Sequence, residues 1–76
     1  MKIDEYASNK IRGEMRARKI TTEEICARLK ETFDVSLNIQ SFNNKISRGG
    51  FGAMFFFQCM YVLDVKLISF DKDNKI

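Results

Sequence analysis

The residues best suited to chemistry lie between positions 40 and 48, where amide, hydroxyl and basic side chains alternate with apolar ones. The polar candidates are Gln40, Ser41, Asn44, Lys45 and Arg48. Asn and Gln can form paired hydrogen bonds with adenine, Arg and Lys can bond guanine, and Ser can reach several base edges. No carboxylate occurs from Asn38 to Phe51, so nothing in this stretch repels a phosphate. The residue types therefore suit contact with the bases and phosphates of DNA.

Helical spacing would place this polar set on one side. At about 100° per residue, Ile39, Phe42 and Ile46 fall within about 60° of one another and form a predicted buried stripe. Asn44 lies nearly opposite the stripe, whereas Asn43 falls near its edge and is the poorer candidate for reading bases. On composition alone, a solvated helix face explains the pattern as well as DNA binding does.

A first helix is predicted from Asp4 to about Arg18, because Ala7, Ile11 and Met15 recur every four residues. Gly13 lies inside this helix and should lower its stability by up to about 1 kcal/mol relative to Ala. The glycine either permits close approach of another element or is a tolerated weakness. Its basic residues share one face and could touch phosphates, although a solvated face explains them equally well. They are Arg12, Arg16 and Lys19.

The second helix begins with a predicted capping box, in which Thr21 accepts from the backbone of Glu24 and the Glu24 side chain returns to Thr21. A turn, "DVSLN", follows, and Ser36 or Asn38 can cap the third helix. Gly49-Gly50 ends that helix. The helix-turn-helix therefore spans about residues 21–48, a fourth helix about residues 52–63, and a short β-strand about residues 65–70.

Length and composition exclude several classes of protein. Seventy-six residues form one domain, with a net charge of +3 and a pI near 9.0. The absence of histidine, and the lack of C-x-x-C spacing between Cys26 and Cys59, argue against a zinc site, a cofactor or an enzyme. The most apolar stretch, Phe51 to Leu63, is too short to span a bilayer. We expect a cytoplasmic protein that neither enters a membrane nor binds a cofactor.

The stretch "IRGEMRARKITTEEICARL" resembles the opening of the Cro/C1-type, lambda-repressor-like family of helix-turn-helix proteins, with Lys19 at a common Gly and Cys26 at a small Ala of that family. "FNNKISRGGF" resembles the signature of a compact branch of the family, and "SRGGFGAMFFFQCMYVL" is similar to a small bacterial group of the same superfamily. The likeness covers about residues 10–63. The connection between Leu29 and Phe42 is longer than is usual in the family.

This resemblance implies a mainly α, four- to five-helix domain over residues 1–76, with a short C-terminal strand. It implies a regulator of a phage or mobile element that binds double-stranded DNA as a repressor, with its third helix in the major groove. The candidate contacts to the DNA backbone are Lys19, Thr21, Thr22, Asn43 and Ser47.

The fourth helix is apolar nearly all round, which fits a central core helix. Its excess of apolar residues also predicts a homodimer interface, and hence a palindromic binding site. The candidate interface residues are Phe55, Met60, Tyr61, Val65 and Leu67. A different class of function stays open, in which the helix-turn-helix is a scaffold and the Phe-rich fourth helix binds a partner protein such as a toxin or another regulator.

Overall fold

The computed structural model describes the backbone of residues 3–65 and the side chains from residue 5 onward. Within that range the chain is mainly α, with four helices in the order α1 (Ile3–Arg18), α2 (Thr22–Phe33), α3 (Ile39–Arg48) and α4 (Ala53–Val62). Most of the predicted strand at about 65–70 lies outside the described residues. Val65, the one described member, is in no regular element. None of these four helices is long and apolar enough to cross a membrane.

The caps explain where α2 and α3 begin. Thr21 Oγ1 accepts the Glu24 N–H at 3.1 Å, as predicted, and the Glu24 carboxylate pairs with Arg28 at 2.8 Å. Asn38 Oδ1 accepts the Ser41 N–H at 2.7 Å, so Asn38 is the cap of α3. Each cap satisfies one backbone N–H that has no partner within its helix.

The core lies where α2 meets both α3 and α4, with α1 packed on α4. Each of the four helices contributes apolar side chains, and burying one such side chain fully stabilises the fold by about 1.5–3 kcal/mol. The fully enclosed members are Ile11, Ile25, Leu29, Phe42, Cys59 and Leu63.

The prediction that Ile39 belongs to the buried stripe of α3 is wrong, because this side chain is 47% exposed. Ile39 is the first residue of α3, and side chains in a helix tilt toward its N-terminus. Its side chain therefore extends beyond the packed turns. Val35 and Leu37, from the connection before α3, pack against the core.

Three helix ends within residues 3–65 share one device. A non-glycine residue in the left-handed region follows α1, α2 and α4, and the next residue is apolar and packs against the core. That apolar residue donates its backbone N–H to a carbonyl in the preceding helix. The pairs are Lys19 and Ile20, Asp34 and Val35, and Asp64 and Val65.

Candidate nucleic-acid interface

The outward face of α3 carries every residue predicted to read bases. The buried Phe42 and Ile46 hold the opposite face in the core, each with only 2% of its surface exposed. The five candidates and their two polar neighbours on the helix are all exposed: Gln40, Ser41, Asn43, Asn44, Lys45, Ser47 and Arg48. Phe42 and Ile46 thus fix how the helix is rotated, and the rotation presents the polar set to solvent.

Lys45 contacts an aromatic ring of α4. Its Nζ lies 5.2 Å from the centre of the Phe55 ring. A cation over an aromatic face is held by about 0.5–1 kcal/mol at an exposed site. Phe55 itself is fixed by the rings of Phe42 and Phe51, at 6.2 and 5.4 Å between centroids. Lys45 is therefore directed along the surface toward α4, at one edge of the polar face.

A hydrogen bond that the sequence pattern did not reveal ties the end of α3 to α1. Ser8 Oγ donates to the Ile46 carbonyl at 2.7 Å, and Ser8 is only 5% exposed. This carbonyl belongs to the last turn of α3, where a helix leaves carbonyls without partners. Ser8 continues the stripe of Ile11 and Met15 one turn toward the N-terminus. A serine at an otherwise apolar position was the one sign in the sequence that this side chain forms a buried hydrogen bond.

Arg12 adds a second contact between α1 and α3. Its Nη2 donates to Ser47 Oγ at 3.3 Å. A groove of about 440 Å³ runs beside this contact, and the described residues of its wall include Asn9, Arg48 and the carboxylate of Glu5. The first helix therefore borders the polar face of α3.

A smaller depression of about 210 Å³ joins three helices. Arg12 and Arg16 of α1, Thr22 at the start of α2 and Asn43 of α3 line it, over a floor that includes Met15, Phe42 and Ile46. Its walls are polar and basic, and the described residues that line it include no carboxylate. Thr22 is the first residue of α2, so the depression lies near the positive end of that helix dipole, although the first turn of α2 also carries Glu23 and Glu24.

The basic side chains beside the polar face of α3 differ from most of those elsewhere in the described residues because they form no ion pair. The ion pairs within residues 5–65 are Glu14 with Lys10 and Arg18, Glu24 with Arg28, and Asp34 with Lys30. The hydrogen bond from Lys10 holds the pKa of Glu14 below its ordinary value. None of these pairs involves Arg12, Arg16, Lys45 or Arg48, so their charge is available to an anion.

The structure brings together only some of the residues that were predicted to contact the DNA backbone. Asn43 and Thr22 line the same depression, and Ser47 lies beside Arg12. The Thr21 hydroxyl is engaged as the cap of α2. Lys19 lies in the turn between α1 and α2, with its backbone in the left-handed region at a φ of 57°.

The predicted dimer interface needs correction. Phe55 and Met60 are only 8% and 3% exposed, because they pack inside the protomer, and they cannot also form a surface between protomers. Tyr61 is 68% exposed, whereas Val65 is half-buried against the core. Leu67 lies outside the described residues.

The two cysteines are buried free thiols. Burial raises the pKa of Cys59 to about 12, with a smaller contribution from Cys26, whose own pKa burial also raises. The described residues include no cluster of three or more His, Cys, Asp or Glu that could hold a metal ion.

The chain is similar to a known protein family. Residues 4–68 match the model of a family described as "Domain of unknown function (DUF6471)". No curated protein and no solved structure matches the chain. Since the matched range covers most of the 76 residues, the chain belongs to the DUF6471 family.

Proposed function

We propose that this domain is a sequence-specific DNA-binding regulator, most simply a repressor, in which α2 and α3 act as a lambda-repressor-like helix-turn-helix. The observation that carries the proposal is the exposed face of α3, which holds amides, hydroxyls and two cations without a carboxylate. A single helix fits the major groove, where such side chains distinguish the four base pairs.

The surroundings of α3 support the same proposal. Arg12, Arg16 and Thr22 meet Asn43 at one depression, so cations and the start of α2 border the face that would enter the groove. Phosphates flank the major groove on both sides, and contacts to them fix the register of a reading helix. In this arrangement α3 reads bases, while α1 and the start of α2 hold the backbone.

The division of labour predicts two kinds of variant. Asn44→Ala removes a candidate base contact, which should cost about 1–3 kcal/mol on the preferred sequence and relax preference at one position. Arg16→Ala removes a candidate phosphate contact, which should weaken binding to all sequences alike and lower the salt slope by about 1. Asn44→Ala therefore tests sequence specificity, and Arg16→Ala tests affinity for DNA of any sequence.

The experiment is selection from random duplex DNA, followed by salt-titrated binding of the enriched sequence. Thr32→Ala is the matched control, because Thr32 is exposed toward the far end of α2 and its loss should leave binding unchanged. The proposal fails if no sequence is enriched and the Kd stays in the nonspecific range of about 10⁻⁴ to 10⁻⁶ M. Equal effects of Asn44→Ala and Thr32→Ala would contradict the assigned face of α3.

A further inference from the structure

One face of α4 is apolar and exposed. Met54, Phe57 and Tyr61 follow the i, i+3, i+7 spacing that places side chains along one side of a helix, and they are 71%, 53% and 68% exposed. Phe33 of α2, 37% exposed, extends this face, with its ring 5.5 Å from that of Tyr61 in an edge-to-face arrangement. These four residues are called the α4 face.

The α4 face is distinct from the core side of the same helix. Phe55, Cys59 and Met60 turn the other way and are almost fully buried. The protomer therefore completes its core without using the α4 face. Large exposed aromatic side chains at helical spacing are unlike the scattered single apolar residues of an ordinary surface.

We infer that the α4 face binds the α4 face of a second copy of this chain. With about 200 Å² for each fully exposed side chain, the observed exposures leave roughly 450 Å² of mostly apolar surface. A two-fold pair would bury about 900 Å² from these residues alone, which is near the lower limit of roughly 1,000–1,200 Å² for specific interfaces. This small area favours a reversible dimer, and we expect a micromolar Kd.

Charge favours a second copy as the partner. A two-fold interface sets identical residues against each other, so a net charge on the face would repel its own copy. No charged residue occurs from Phe51 to Leu63. Of the three charged residues at the end of α2, Lys30 and Asp34 pair with each other at 2.6 Å, and Glu31 falls about 160° around the helix from Phe33. The α4 face can therefore meet itself without electrostatic cost.

The aromatic contacts favour binding further. The Phe33 and Tyr61 rings already pack against each other, and Phe57 packs against Phe56 at 5.7 Å. Side chains that are held in place before association lose less conformational entropy when they bind. This dimer forms without DNA, and it replaces the interface that Phe55 and Met60 were predicted to build.

The first test is sedimentation equilibrium of the full chain without DNA, from about 1 to 300 µM, a range that brackets a micromolar Kd. We expect a monomer–dimer equilibrium that persists at about 1 M NaCl, because apolar contact is not screened by salt. Phe57→Lys and Tyr61→Lys should each raise the Kd at least about tenfold. Ala17→Lys adds the same charge at an exposed position on α1 and should leave the Kd unchanged.

The second test uses the burial of both native thiols. Phe57 lies between Met54 and Tyr61, so it falls near the two-fold axis of the proposed pair. Phe57→Cys should form a disulfide-linked dimer under a mild oxidant, and Ala17→Cys should not. Circular dichroism and thermal melting establish that each variant folds.

Two outcomes overturn the inference. One is a monomer over the whole concentration range, and the other is a dimer whose Kd is unaffected by Phe57→Lys and Tyr61→Lys. Because dimerisation is measured without DNA, neither result bears on whether the polar face of α3 binds DNA. Loss of DNA selection with an intact dimer would instead refute the proposed function alone.

Discussion

Replacing Ser8 with alanine tests how α3 is held against the rest of the domain. The Ser8 hydroxyl donates to the Ile46 carbonyl at 2.7 Å, at a site where Ser8 is 5% exposed. Ser8→Ala removes the donor to that carbonyl, and the adjoining groove, which Ser8 and Ile46 both line, lets water replace the donor only in part. An unsatisfied buried polar group costs about 1–3 kcal/mol. Alanine is the better helix former by about 0.5 kcal/mol, so a net loss of about 1–2 kcal/mol is expected.

The assay is urea unfolding followed by circular dichroism, with thermal melting alongside. In a domain of this size each kcal/mol shifts the Tm by about 4–8 °C, so Ser8→Ala should lower it by roughly 5–15 °C. Ser47→Ala is the matched control, because it also replaces a helical serine that contacts α1, but its bond from Arg12 is exposed, so water can replace it. Ser47→Ala should leave the free energy of unfolding within about 0.5 kcal/mol of the wild type.

The location of the effect gives a further check. Amide hydrogen exchange in the last turn of α3 should accelerate in Ser8→Ala, since that turn loses its contact to α1. If Ser8→Ala and Ser47→Ala changed stability equally, the Ser8 hydroxyl would not hold α3. The reasoning would fail in the same way if exchange accelerated uniformly along the chain.

Four other predictions concern single features of the fold. Asn38→Ala removes the cap of α3 and should cost about 0.5–2 kcal/mol in urea unfolding, whereas Ser36→Ala in the same connection should cost little. Gly49→Ala should destabilise by about 1–3 kcal/mol, because a φ of 71° with a ψ of −156° is open almost only to glycine. Gly13→Ala should instead stabilise by about 0.5–1 kcal/mol, since a Cβ there meets no atom within 4 Å. The thiol of Cys59 should resist Ellman's reagent at pH 8 in the native state and react on unfolding. The reason is that the buried thiol, with a pKa of about 12, stays protonated at that pH. Fast labelling of the native protein would contradict its burial.

Local signals were sufficient to predict the helices. Thr21 as a cap, and glycine after Arg48, are read from a few neighbouring residues, and both hold in the structure. Ile39 was mispredicted because a helical wheel treats all turns alike, whereas the first turn of α3 projects beyond its packing partners. The wheel also could not say which aromatic residues of α4 face inward, since nearly every position there is apolar.

The candidate site was predictable as a set of residue types but not as an arrangement. That α3 would be polar outward follows from Phe42 and Ile46. That Arg12 and Arg16 would stand beside Asn43 depends on how α1 packs across the domain, and no local pattern specifies such packing. Ser8 shows the same limit, because its partner lies 38 residues away.

The three helix ends that use Lys19, Asp34 and Asp64 in the left-handed region carry a consequence for how this fold can change. Each residue accepts a backbone conformation that costs a non-glycine side chain about 1–2 kcal/mol, where glycine would avoid the penalty. The domain therefore lies below the highest stability its backbone permits. Substituting glycine at these turns could raise the stability enough to offset destabilising changes on the face of α3. A new binding preference could then arise without loss of the fold.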